Sequence, residues 1–168
     1  MAASFGERFQ VPAEFPSLLA DGRNGRKSGR GFYLYPTRKR GRKRADGQIY
    51  KLLGVKPCSH QTLSQVAERC VMMMCNEAVR TLDEQVITQA RDGDVGAVFG
   101  VGFPPFLGGP FREMDRREVP KVVARLNILM QQYGERFAPC ERLVKMQVND
   151  EKFYKNVGED NNASASAS

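Results

Sequence analysis

The stretch GVGFPPFLGGP, Gly100 to Pro110, holds four glycines and three prolines in eleven residues. No helix or strand runs unbroken through such a segment, so whatever lies on either side must be separate elements. The join is either a loop that offers backbone amides to an anion or a rigid corner. A dinucleotide fingerprint needs GxGxxG between a strand and a helix, with an acid about 20 residues on. Here Gly100-Val101-Gly102 runs into Phe103-Pro104-Pro105, and proline supplies no amide hydrogen. The preceding DGDVGAVFG reads as helix, and the Gly-Lys-Ser/Thr of a P-loop is absent. The segment is therefore expected to be a corner: Gly100, Gly102, Gly108 and Gly109 allow close backbone approach, and Pro104 and Pro110 stiffen it. Phe103, with Phe106, Leu107 and Phe111, would anchor it in a core.

Helical periodicity flanks the corner. From Leu63 to about Gln89, the residues Leu63, Val66, Cys70, Met74, Ala78, Leu82 and Val86 recur at three or four positions, which predicts a long amphipathic helix capped by Ser59 or Ser64. Within it, VMMM reads as flexible core filling. A second, shorter helix is expected to start at Asp92 or Asp94, its first-turn acid stabilising its own amides, and to end at Gly100 and Gly102. A third begins near Glu118 with Pro120 in its first turn, carries Val119, Val122, Leu126, Leu129 and Tyr133 on one stripe, and stops at Gly134. After Pro139, CERLVKMQV forms one more. Glu77, near the apolar face, is expected to bond to a neighbouring backbone group or to Arg112.

Charge is concentrated. The net charge is +7, yet residues 23 to 44 hold ten Lys or Arg and no acid, which leaves 16 basic against 19 acidic residues elsewhere. Six of the seven residues Arg38, Lys39, Arg40, Gly41, Arg42, Lys43 and Arg44 are basic. Such a block is either a solvated linker or an anion-binding patch. Cys58, Cys70, Cys75 and Cys140 form no CxxC pair, and five helical residues turn Cys70 from Cys75 by about 500°. They read as buried reduced thiols, with no metal site. His60 is the single histidine, so any Ser-His-Asp or Cys-His engine would have to run through it. No run approaches the roughly 18 apolar residues of a membrane span, and MAASFGERF lacks the order of a signal peptide, so a cytoplasmic location is expected.

GERFQVPAEFPSLL from Gly6 echoes GERFAPCERLV from Gly134, and each copy runs on to a Phe-Tyr pair, Phe32-Tyr33 and Phe153-Tyr154. Together with NEAVRTLDEQVI, GDVGAVFGVGFPPFLGGPFREMD, YGERFAPCERL and GRKSGRGFYLY, this resembles the C-terminal helical domains of 3-hydroxyacyl-CoA dehydrogenases, most of all those in the alpha subunit of the bacterial multifunctional fatty-acid oxidation complex. The likeness covers about Gly6 to Tyr35 and Val66 to Tyr154.

The resemblance implies an all-α fold: residues 1–35 as the end of a first helical repeat, 36–58 as a basic linker, 59–156 as a second helical domain and 157–168 as a disordered tail. It implies a piece of an enzyme whose complete subunit also carries enoyl-CoA hydratase and NAD-binding Rossmann domains and works with a thiolase beta subunit. NAD belongs to that complete enzyme and no cofactor to this chain, which lacks the family's His-Glu pair. In the catalytic copy of the helical domain an Asn near the start of the long helix faces the substrate; alignment on Glu77-Ala78 places Glu68 there, so no catalytic residue is expected. The isolated chain is expected to associate with itself through helical faces. A reading from another class makes the basic segment a module for nucleic acid or anionic lipid, and a third has it hold CoA phosphates. Few aromatics lie within the basic run, which weighs against base stacking.

Overall fold

The computed structural model describes residues 11–36, 41–57 and 60–154. Arg38, Lys39, Arg40, Cys58, Ser59, the first GERF and the tail 157–168 lie outside them. The described residues are predominantly helical, with seven α-helices and one two-stranded sheet, which fits the all-α expectation. Among them, no helix is long and apolar enough to cross a membrane. The chain divides into two compact units, Met1–Gln61 and Thr62–Ser168.

The first unit is small. Helix α1, Phe15–Ala20, is followed by a 3-10 turn at Arg26–Ser28, then by strands β1, Tyr33–Leu34, and β2, Arg44–Ala45, and by helix α2, Gln48–Leu52. The strands pair antiparallel, Tyr33 with Ala45 and Leu34 with Arg44. Residues 36–58, read from sequence as a bare connector, thus carry a strand and a short helix. A buried arginine holds this unit together. Arg23 donates from Nη1 to the Gly31 carbonyl at 2.9 Å and to Asp46 at 2.7 Å, and from Nε to Asp21 at 2.8 Å. Asp46 in turn accepts the Gln48 amide at 3.1 Å and so starts α2. The Asp46 carboxyl sits below its ordinary range, chiefly because of the Arg23 hydrogen bond.

The second unit is a bundle of five helices: α3 Leu63–Asp83, α4 Ala90–Val101, α5 Pro110–Arg117, α6 Val119–Tyr133 and α7 Glu141–Asn149. Helix α3 touches all four others. Thr62 and Gln65 cap it reciprocally, each side chain accepting the other's amide. The cap is therefore neither Ser59, outside the described residues, nor Ser64, and the helix ends at Asp83, six residues before the expected Gln89. Its inward face also differs from the predicted stripe. Met72, Cys75, Asn76 and Val79 are buried, whereas Leu63 is 89% exposed, Val66 and Cys70 are also exposed, and Met74, Ala78 and Leu82 only border the core.

Helix α6 follows the prediction closely: Val119, Val122, Leu126 and Leu129 are buried, joined by Val123, while Tyr133 stays on the surface. Val119 and Val122 meet Phe103 and Phe111 in one cluster with Met114, Leu143 and Met146. Each such side chain removed from water contributes about 1.5 to 3 kcal/mol, which is why five short helices suffice for a core.

Of the cysteines, Cys75 and Cys140 are buried and unpaired, and Cys70 is exposed. Burial pushes the Cys75 thiol up to about 12 and raises that of Cys140, so neither offers a thiolate at neutral pH. In the native protein a thiol reagent such as Ellman's is expected to modify Cys70 and to spare Cys75 and Cys140 until the protein unfolds. Peptide mapping after brief labelling checks this; equal labelling of all three would contradict it.

Candidate functional site

The glycine-proline segment folds as a corner between α4 and α5, with a 3-10 turn at Pro105–Leu107 in its middle. Gly102 takes a left-handed conformation and ends α4, as its position after an apolar helix predicts; Gly100 lies inside the helix. Phe103 and Phe111 are fully buried and Leu107 packs against the core. Phe106, in the middle of the 3-10 turn, does not and is 86% exposed. Pro110 opens α5, a helix that the loop-like composition hid.

The corner is organised by a carboxylate from the facing helix. Asp94 lies in the second turn of α4, is buried, and accepts the Phe111 amide at 2.7 Å and the Arg112 amide at 3.3 Å. It therefore caps α5 and not, as its sequence position suggested, its own helix. A third donor, the Tyr154 hydroxyl, reaches it at 2.7 Å. Burial holds the Asp94 carboxyl above its ordinary range despite these bonds, and the Tyr154 hydroxyl is pushed up to about 12, first by burial and then by Asp94.

Gly109 makes this approach possible. Its φ is +114°, and a Cβ placed there would fall on the Asp94 side chain. Gly93 does the same for α4, where a Cβ would strike the Phe111 ring. The chain after α7 closes the corner: Asp115 accepts the Phe153 and Tyr154 amides, both at 2.9 Å, and Phe153 meets Phe111 edge-on with centroids 4.9 Å apart. Arg112 stacks over the Tyr154 ring at 4.2 Å. Glu77, which was expected to reach a backbone group or Arg112, lies 3.9 Å from Arg80.

Each polar group that gathers here thus meets another group of the protein. Glu68, at the place where the resembling family's catalytic copy has its Asn, is likewise engaged. Arg125 grips it with Nε at 3.0 Å and with Nη2, and Arg117 lies 4.0 Å away. The Arg125 hydrogen bond holds the Glu68 carboxyl below its ordinary range. Arg117 also pairs with the fully buried Glu113, which Arg116 contacts from the next position. Sequence reasoning missed Glu113; acids at i−3 and i−4 to arginines on a short helix were the available sign.

Asn76, in α3, is another buried polar group. It donates to the Ala138 carbonyl at 2.8 Å and accepts the Cys140 amide at 2.9 Å, so it fixes the entry to α7. A groove of about 400 Å³ runs along Val66, Arg69, Cys70 and Met73 of α3 to Tyr133, Arg136 and Phe137. Among the described residues it contains no carboxylate or imidazole beside Cys70, and His60 lies exposed elsewhere in the chain. Nor do three His, Cys, Asp or Glu side chains come together among the described residues to hold a metal. Of the basic block, Arg42, Lys43 and Arg44 are described and belong to β2 and its approach. No family model matches the chain.

Proposed function

We propose that this chain is the C-terminal helical part of a multifunctional 3-hydroxyacyl-CoA dehydrogenase of the fatty-acid β-oxidation type. In this reading it packs beside the NAD-binding and hydratase domains of the complete subunit, helps close the acyl-CoA site, and has no turnover of its own. The observation that carries the reading is the internal use of the string most specific to the resemblance. Asp94, Gly109, Phe111 and Tyr154 are joined to one another, and Glu68 is held by Arg125. Residues so engaged are suited to building a domain and offer no free acid, base or nucleophile in the geometry that proton or hydride transfer requires.

The purified chain, mixed with NADH and acetoacetyl-CoA, is expected to oxidise no cofactor above a protein-free blank. The same chain co-expressed with hydratase and Rossmann domains of the family is expected to co-purify with them and to raise their dehydrogenase activity. Turnover by the chain alone, or failure to associate with those domains, would overturn the proposal.

A further inference from the structure

The segment after α7 lies on the corner without joining its core. Asp150, Glu151 and Lys152 are exposed and Phe153 and Tyr154 half-buried, and the buried cluster is complete without either ring, which only pack against it. Four side chains of α4 and α5 hold the aromatic pair. Asp115 accepts both amides at 2.9 Å, Phe111 meets the Phe153 ring edge-on, Arg112 covers the Tyr154 ring, and Asp94 accepts its hydroxyl at 2.7 Å. Each contact reads a feature of the bound segment. One carboxylate on two successive amides excludes proline at either position. The ring edge selects an aromatic first residue, and the guanidinium selects a π face at the second. The buried Asp94 carboxylate selects a hydroxyl at that ring's tip. The link to α7 adds little: the Glu151 amide turns back to the Met146 carbonyl and Asn149 reaches Glu151. Phe153-Tyr154 thus sits on α4 and α5 as a ligand on a short tether. The echoing pair Phe32-Tyr33 is engaged elsewhere, with Tyr33 opposite Ala45 in the strand pair and 4.3 Å from the Lys43 ammonium.

We propose that Asp94, Phe111, Arg112 and Asp115 form a recognition site for a Phe-Tyr segment, filled by the chain's own residues 153 and 154 and open to the same pair supplied in trans by another polypeptide. The strap is then an internal competitor. On so short a tether it acts at an effective concentration of about millimolar, so an outside segment gains the site when the strap is released. The assignment is independent of the dehydrogenase reading, because a chain that failed to associate with that family's domains would still bind the peptide.

Fluorescence anisotropy of a fluorescein-labelled peptide Asp-Glu-Lys-Phe-Tyr-amide, the sequence of residues 150–154, tests it on the full chain carrying F153A/Y154A, with circular dichroism to verify the fold. The emptied variant is expected to bind the peptide saturably, and the parent at least about tenfold more weakly because its strap competes. A peptide with Phe in place of its Tyr should bind about tenfold more weakly, having lost the hydroxyl on a charged acceptor. N-methylation of the Tyr amide, which keeps both rings, should cost about as much. Amide exchange on the parent tests the same idea without any variant. The Phe153 and Tyr154 amides are expected to exchange at least about tenfold faster than those of Val123 and Leu126 in the core of α6, through opening of the strap alone. No binding by a folded F153A/Y154A chain, equal binding of the three peptides, or exchange of the strap amides only with global unfolding would overturn the proposal.

Discussion

Replacing Gly109 with Val is expected to remove a large share of the stability of the helical bundle. Two costs coincide at that position. A φ of +114° strains any side chain, at about 1 to 3 kcal/mol, and the added Cβ would overlap the Asp94 side chain, forcing a displacement that costs about 1 to 3 kcal/mol more. Asp94 cannot retreat freely, because moving it strands the Phe111 amide and the Tyr154 hydroxyl. Against a typical domain stability of roughly 5 to 15 kcal/mol, a sum of about 2 to 6 kcal/mol removes a large share of the margin and lowers the melting temperature by many degrees. Thermal and urea melts followed by circular dichroism measure it, with Gly96→Ala as the control. A Cβ at Gly96 meets nothing within 4 Å, and alanine favours a helix by up to about 1 kcal/mol, so that variant is expected to melt no lower than the parent. Equal melting of the parent and the Gly109 variant would refute the close approach.

The second large effect is expected in association. On α4, Val95 and Phe99 stand one turn apart and are 52% and 86% exposed; Val101 and Phe106, 71% and 86% exposed, follow close in the chain. Gly96 and Gly100 add no side chain beside them. So much apolar surface on one helix and its following turn favours burial against a second surface, and a twofold pairing of copies would use each phenylalanine twice. Sedimentation is expected to show a dimer or larger species at micromolar concentration that persists in high salt. Phe99→Asp should lower its association constant by at least about tenfold, since each copy loses a buried ring worth roughly 1.5 to 3 kcal/mol and gains a charge. A parent that is monomeric throughout, or an oligomer that high salt dissolves, would refute an apolar interface.

The legible part of this fold was the part written in local signals. Pro120 and Gly134 bracket α6, and its stripe of Val119, Val122, Leu126 and Leu129 faces the core as periodicity required. The stripe of α3 was misread for a physical reason: Val71 to Cys75 is continuously apolar, so two stripes fit the same spacing, and tertiary packing selects the one through Met72, Cys75 and Val79. The Thr62–Gln65 cap was readable from its T-x-x-Q spacing. The partner of the α5 amides was not, because Asp94 lies 17 residues from the Phe111 amide that it receives. Gly100, grouped in sequence with the corner, lies inside α4, and which of Gly102, Gly108 and Gly109 carries the close contact depended on that same distant carboxylate. In the first unit, the meeting of Lys43 with Tyr33 depended on strand pairing across the basic run, which no periodicity announced.

The clasp of Asp115 on the Phe153 and Tyr154 amides has a consequence for the order in which the bundle can be completed. A ribosome delivers the chain from its N-terminus, so α3 to α6 emerge before either amide exists. Until Tyr154 is made, the buried Asp94 carboxylate lacks its third donor and the Phe111 ring keeps an uncovered edge. The corner of the nascent bundle thus closes only when the segment after α7 has been added, so residues made later act as the bolt for helices made before them.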